Sequence, residues 1–122
     1  MPTEPDPITL SEIARRATEI VDPTGADDEV VRLYTQLEDD DRPITTVQNL
    51  EGRLATAEEG ADIDGENPAV AMAVALVLYL AHRRDQLDDD PDTVLRLAVR
   101  AEWKGQPPTA IQNWLEEHGV TA

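Results

Sequence analysis

The sequence predicts an all-α fold, a compact bundle of five to six helices around a central apolar helix at about residues 68–84. Three observations carry this. Apolar residues recur at the 3.6-residue period through most of the chain, with no strand-like alternation. Helix-capping residues, Ser, Thr, Asp or Asn, stand just before nearly every periodic stretch. One run, "AVAMAVALVLYLA" from Ala69 to Ala81, is apolar on all sides. A helix apolar all round belongs in an interior. Thirteen residues are too few for a membrane span, which needs about twenty, and the charged segment "HRRDQLDDD" follows at once. No membrane partner is therefore expected.

The elements follow in order. Thr9 with Glu12 forms a capping box for the first helix, with Ile8 and Ile13 as the hydrophobic staple. Leu10, Ile13, Ala14, Ala17, Ile20 and Val21 share its apolar face, and "DPTG" ends it. The second helix spans about Asp27 to Glu38, with its acidic first turn matched to the helix dipole. Val30, Val31, Leu33, Tyr34 and Leu37 form its inner side, and Pro43 disfavours helix at Arg42. A third helix is expected from Thr45 or Thr46 with an apolar stripe of Val47, Leu50, Leu54 and Ala57, weakened by Gly52. The loop "GADIDGENP" fails the calcium-loop pattern: with Gly65 as its sixth-position glycine, Gly60 and Ala71 occupy the first and twelfth positions. It is a turn leading to the Asn67 cap and the Pro68 first position of the central helix.

Within the central helix, Ala71, Ala75, Tyr79 and His82 form a less apolar strip suited to close approach of a neighbouring helix or a second copy of the chain. A fifth helix is capped by Asp90 and stopped by Gly105, and a sixth runs from about Thr109 to His118 with Ala110, Ile111, Trp114, Leu115 and His118 on its apolar face. The predicted core is Ile13, Ile20, Leu37, Leu50, Val74, Leu76, Leu80, Leu95, Ala98, Trp114 and Leu115. Residues 1–7 are expected to be disordered, and 8–120 to form a single helical domain.

Composition limits the function. There are 26 Asp and Glu against 10 Lys and Arg, a formal net charge of −16, and no cysteine. The acidity fits adaptation to a salt-loaded cytoplasm, simple solubility, or a decoy surface imitating nucleic-acid phosphates. The opening "MPTEPDPITL" lacks a leader's cationic start and apolar centre, so a cytoplasmic location is expected. Without Cys there is no thiolate ligand or nucleophile. Ser11 is the one serine and sits in a helix first turn, and His82 and His118 lack any metal-binding spacing. No enzyme activity, cofactor or metal is expected.

Two partner-binding readings remain. Arg96, Arg100 and Lys104 fall on one strip of the fifth helix beside Trp103, a composition suited to an interface anchor. This favours a non-enzymatic protein-interaction or regulatory module, with a protein partner or as a homo-oligomer. Alternatively these cations, with Arg83 and Arg84, neutralise "DDDPD" and the end of the central helix. The second partner reading is a DNA-binding regulator. Ala101, Gly105, Ile111 and Trp114 have a helix-turn-helix spacing over about 93–118, which would present Thr109, Gln112 and Asn113 to base edges. The prolines Pro107 and Pro108, the acids Glu116 and Glu117, and the field of the whole chain oppose this.

Overall fold

A computed structural model describes residues 8–62 and 65–120; the segment 1–7, expected to be disordered, lies outside the described residues. Its chain order is α1 (Leu10–Val21), α2 (Asp28–Leu37), a 3-10 turn (Ile44–Thr46), α3 (Leu50–Ala61), α4 (Pro68–His82), a second 3-10 turn (Arg84–Gln86), α5 (Pro91–Trp103) and α6 (Thr109–Glu117). The fold is all-α, as the periodicity predicts, with no strand among the described residues.

The predicted caps Thr9, Asn67 and Asp90 close their helices, and Asp27, expected as the first residue of the second helix, is its cap. Thr9 Oγ1 accepts from the Glu12 amide at 3.2 Å, and Asp27 Oδ1 accepts from Glu29 and Val30. Asn67 Oδ1 accepts from Ala69, and Asp90 Oδ2 accepts from Thr93. Each bond satisfies an amide that the helix itself leaves without an acceptor. Asn67 also joins two helix starts, because its Nδ2 donates to the carboxylates of Asp27 and Glu29.

Helix α4 organises the packing. All five other α-helices pack on it, and no residue from Ala69 to Ala81 is exposed. Met72, Leu76, Val77 and Leu80 are fully enclosed. An apolar surface all round cannot be hidden against one neighbour, so the chain wraps it. The strip of Ala71, Ala75, Tyr79 and His82 divides: Ala75 is buried within the chain, Ala71 and Tyr79 are half-buried, and His82 is exposed. The Tyr79 hydroxyl donates to Gln86 Oε1 in the following 3-10 turn.

The acidic loop after α2 is a structural clasp. Leu10 and Ser11 donate their amides to the Arg42 and Asp40 carbonyls at 3.1 and 3.0 Å, and Ser11 Oγ donates to the Glu38 carbonyl. The Ile44 amide donates to the Ile8 carbonyl at 2.8 Å. A run that reads as solvated charge thus supplies the acceptors for the N-terminus of α1.

Several sequence expectations are corrected. Thr45 and Thr46 lie in the 3-10 turn, and α3 begins only at Leu50, after Asn49 caps it in a left-handed conformation (φ 52°). Gly52 is needed there, because a Cβ would come within 2.4 Å of the Asn49 side chain that caps its amide. Val31 is 45% exposed, because the inner face of α2 is narrower than the apolar count suggests. Leu50 and Val74 are half-buried at the margin of the core. The α4 helix ends at His82, its orphan Tyr79 carbonyl taken by the Arg83 amide, so Arg83 and Arg84 lie beyond it. Ala110 and His118 are exposed; the His118 ring lies over Trp114 at 4.0 Å, and its Nδ1 donates to the Trp114 carbonyl.

Leu76→Ala should lower the unfolding free energy by about 2–5 kcal/mol, a large part of the roughly 5–15 kcal/mol available to a domain. Val74→Ala, at the margin, should cost less. Urea denaturation checks both, and equal costs at the two positions would contradict the described burial.

Candidate protein-interaction site

The candidate site is built on α5. Val94, Leu95, Ala98 and Val99 are buried, and α5 packs along α4. That orientation turns Arg96 and Arg100 outward; both are exposed, as is Lys104, the residue that follows the helix. Arg96 and Arg100 stand four residues apart, about 6 Å along the helix. Trp103 follows Arg96 by seven residues and Arg100 by three, which puts it on the same side; it is half-buried against the core. Leu97, half-buried, precedes Lys104 by seven.

The helix does not end on Gly105 alone. Lys104 is itself left-handed (φ 53°), as is Gly105 (φ 80°), and the Gln106 amide then donates to the Trp103 carbonyl at 2.8 Å. A left-handed lysine is disfavoured by about 1–2 kcal/mol relative to the right-handed form.

The other cations are mostly committed inside the molecule. Arg53, Arg32 and Arg84 donate to the carbonyls of Gln36, Ala61 and Ala81, at the C-terminal ends of α2, α3 and α4. Positive charge is favoured at those ends. Arg16 donates to the carbonyls of Leu87 and Asp89, so the acidic loop before α5 is held from α1 and not by Arg96. Arg42 and Arg53 bind Asp40, and Arg83 lies 3.5 Å from Asp85. Among the described residues, Arg96, Arg100 and Lys104 make no side-chain hydrogen bond or ion pair, and Arg15 is the remaining cation in that state. Arg84 therefore meets the end of α4 as expected, whereas Arg83 pairs with Asp85, outside "DDDPD", and the α5 strip pairs with neither.

The helix-turn-helix residues are placed differently from that motif. Ala101, assigned as the close-contact residue, is exposed, whereas Ile111 and Trp114 are buried. Both α5 and α6 pack chiefly on α4, with only slight contact between them. Thr109, Gln112 and Asn113 are exposed, but Gln112 Nε2 donates to the Pro107 carbonyl at 3.1 Å and is held to its own loop. The two histidines line separate clefts, His82 beside Leu50 and Leu78, and His118 beside Asp27 and Glu29. No helix is long and apolar enough to cross a membrane among the described residues. No protein-family model, curated protein or solved structure matches the chain.

Sequence reasoning missed the arginine caps on the helix ends. The available signal was arginine at positions that lie near a helix end only once the helices are packed, which spacing along one helix does not show.

Two carboxyls frame the electrostatics. The Arg42 side-chain hydrogen bond holds Asp40 down at about 2, from an ordinary 3.8, against the opposing effect of burial. Glu58 is pushed above 4.5 by burial, then by the nearby charges of Asp62, Glu102 and Glu59. A carboxyl raised by folding stabilises the fold once protonated, and one lowered by folding stabilises it only while ionised. The melting temperature should therefore rise as pH falls from neutral through the Glu58 range, then fall as pH drops from about 3.8 towards 2 and Asp40 protonates. Glu58→Gln should remove part of the rise and raise the neutral-pH melting temperature. Thermal melts across this range check it; a Glu58→Gln profile identical to wild type would contradict it.

Proposed function

We propose that the chain is a non-enzymatic interaction or regulatory module that acts through a protein partner docked on α5. The observation that carries this is the cluster of three cations without partners among the described residues, on a chain of net charge −16. Of the other arginines, all but Arg15 hold helix ends, loop carbonyls or carboxylates, as described above. Those of α5 contribute nothing of that kind, and they sit beside a half-buried tryptophan. Arginine and tryptophan are the residues most enriched at energetically dominant interface positions.

The remaining acidic surface steers a partner towards the strip by excluding other negatively charged approaches. We read the acidity itself as adaptation of a cytoplasmic protein to a salt-loaded interior. Duplex DNA is the competing ligand class. Its affinity comes largely from phosphate neutralisation, and three cations interrupted by Glu102 on a chain of net charge −16 offer little of it.

The double variant Arg96→Ala with Arg100→Ala decides between roles. Its stability should stay within about 0.5 kcal/mol of wild type, as for a surface position without partners. Affinity capture from nuclease-treated extract of the native cells should lose a bound protein that wild type retains. Titration with mixed duplex DNA at low salt should show no binding that depends on Arg100. A large stability loss, or salt-sensitive DNA binding abolished by Arg100→Ala, would overturn the proposal.

A further inference from the structure

We infer that the element recognised by α5 is an acidic amphipathic helix of a partner protein, with carboxylates one turn apart. This rests on the protein-partner reading above and names the chemistry of its ligand. The receiving face has a fixed pattern. Arg96 and Arg100 are exposed one turn apart, about 6 Å along the helix axis, and the exposed Lys104 follows at the C-terminal end of α5. Carboxylates at positions i, i+4 and i+8 of a second helix repeat at the same interval. Leu97 and Trp103 flank the cations and are each half-buried, so part of both side chains remains open to contact. An acidic helix with an apolar edge beside its carboxylates satisfies both features at once.

Competing occupants fit less well. A nucleic-acid strand continues its phosphates beyond the three cations in both directions. Asp92 lies one turn before them on α5, Glu102 stands between Arg100 and Lys104, and α6 carries the exposed Glu116 and Glu117. A short helix bearing three carboxylates stays within the cationic stretch. A second copy of the chain lacks the complement: none of its six α-helices carries carboxylates at two successive four-residue steps. Exposed ion pairs are individually weak and screened by salt, so the apolar contact with Trp103 and Leu97 supplies the salt-resistant share of the affinity.

The test titrates the full chain with a helix-forming peptide of about 16 residues, bearing Glu at three positions spaced by four and Leu along the adjacent edge. One control peptide has Gln for each Glu, and another has a central Pro that breaks the helix. Wild type should bind the Glu peptide in a salt-sensitive manner. Binding should weaken about tenfold or more, the change produced by losing about one well-placed charge pair at an interface, with the Gln peptide or with the Arg96→Ala, Arg100→Ala variant. Trp103→Ala should weaken the part of the binding that persists at high salt, and Arg96→Lys with Arg100→Lys should retain most of the affinity. Thermal melts establish that each variant is folded.

Equal binding of the Glu and Gln peptides, or of wild type and the double alanine variant, would overturn the inference. So would undiminished binding of the Pro-broken peptide, strip-dependent binding of mixed duplex DNA, or a dimer in sedimentation that the double variant abolishes. If affinity capture still yields a strip-dependent protein while the Glu peptide fails, the acidic-helix assignment falls and the protein-partner reading stands. If capture also fails, both fall.

Discussion

The burial of α4 on every side is the constraint from which the rest of the structure follows. A thirteen-residue segment with no polar face has to be enclosed by several elements, and α4 meets all five other α-helices. Each surrounding helix needs only one apolar stripe, so its opposite side is left to charge. Burying a Leu, Val or Met side chain contributes about 1.5–3 kcal/mol, and Met72, Leu76, Val77 and Leu80 are all at 0% exposure. This concentration of apolar contact compensates for a surface whose like charges repel one another. It also explains how a chain with only four aromatic residues and no phenylalanine can form a continuous core.

The second organising feature is the economical use of positive charge. Helix termini leave carbonyls without partners, and Arg53, Arg32 and Arg84 supply donors to three of these ends. Arg16 fastens the loop before α5 to α1, and Arg42 joins Asp40 in the clasp over the start of α1. These contacts tie together segments far apart in sequence, as Arg16 and Asp89 show. Against that pattern the α5 strip is conspicuous, because its cations are spaced as regularly as the structural ones are scattered. The same α4 packing that buries Val94, Leu95, Ala98 and Val99 fixes the outward direction of Arg96 and Arg100.

Much of this architecture is legible in the sequence because caps and periodicity are local. Thr9, Asn67 and Asp90 act as caps where their neighbours predict, and α4 is central for the reason its composition gives. Features that depend on tertiary contact are harder to read. The start of α3 moves to Leu50 because Asn49 can adopt a left-handed cap beside Gly52, a local option that the apolar stripe does not reveal. Val31 and Ala110 have the residue type of a core and the position of a surface, because only the packed arrangement sets the width of each inner face. The site shows the same division. The spacing of Arg96, Arg100 and Lys104 is visible in the chain, whereas their lack of internal partners requires knowing that Arg16 holds the neighbouring acidic loop. The spacing of Ala101, Gly105, Ile111 and Trp114 is equally visible, but Ala101 is exposed, and α5 and α6 take α4 as their main support.

Native-state amide hydrogen exchange is the most direct measurement of α4's organising role. Amides within Ala73–Leu80 should exchange only through global unfolding, with an opening free energy equal to that from urea denaturation, while those of α6 open at lower free energy. Exchange of the α4 amides through local opening, at a free energy below that of the surrounding helices, would contradict the account.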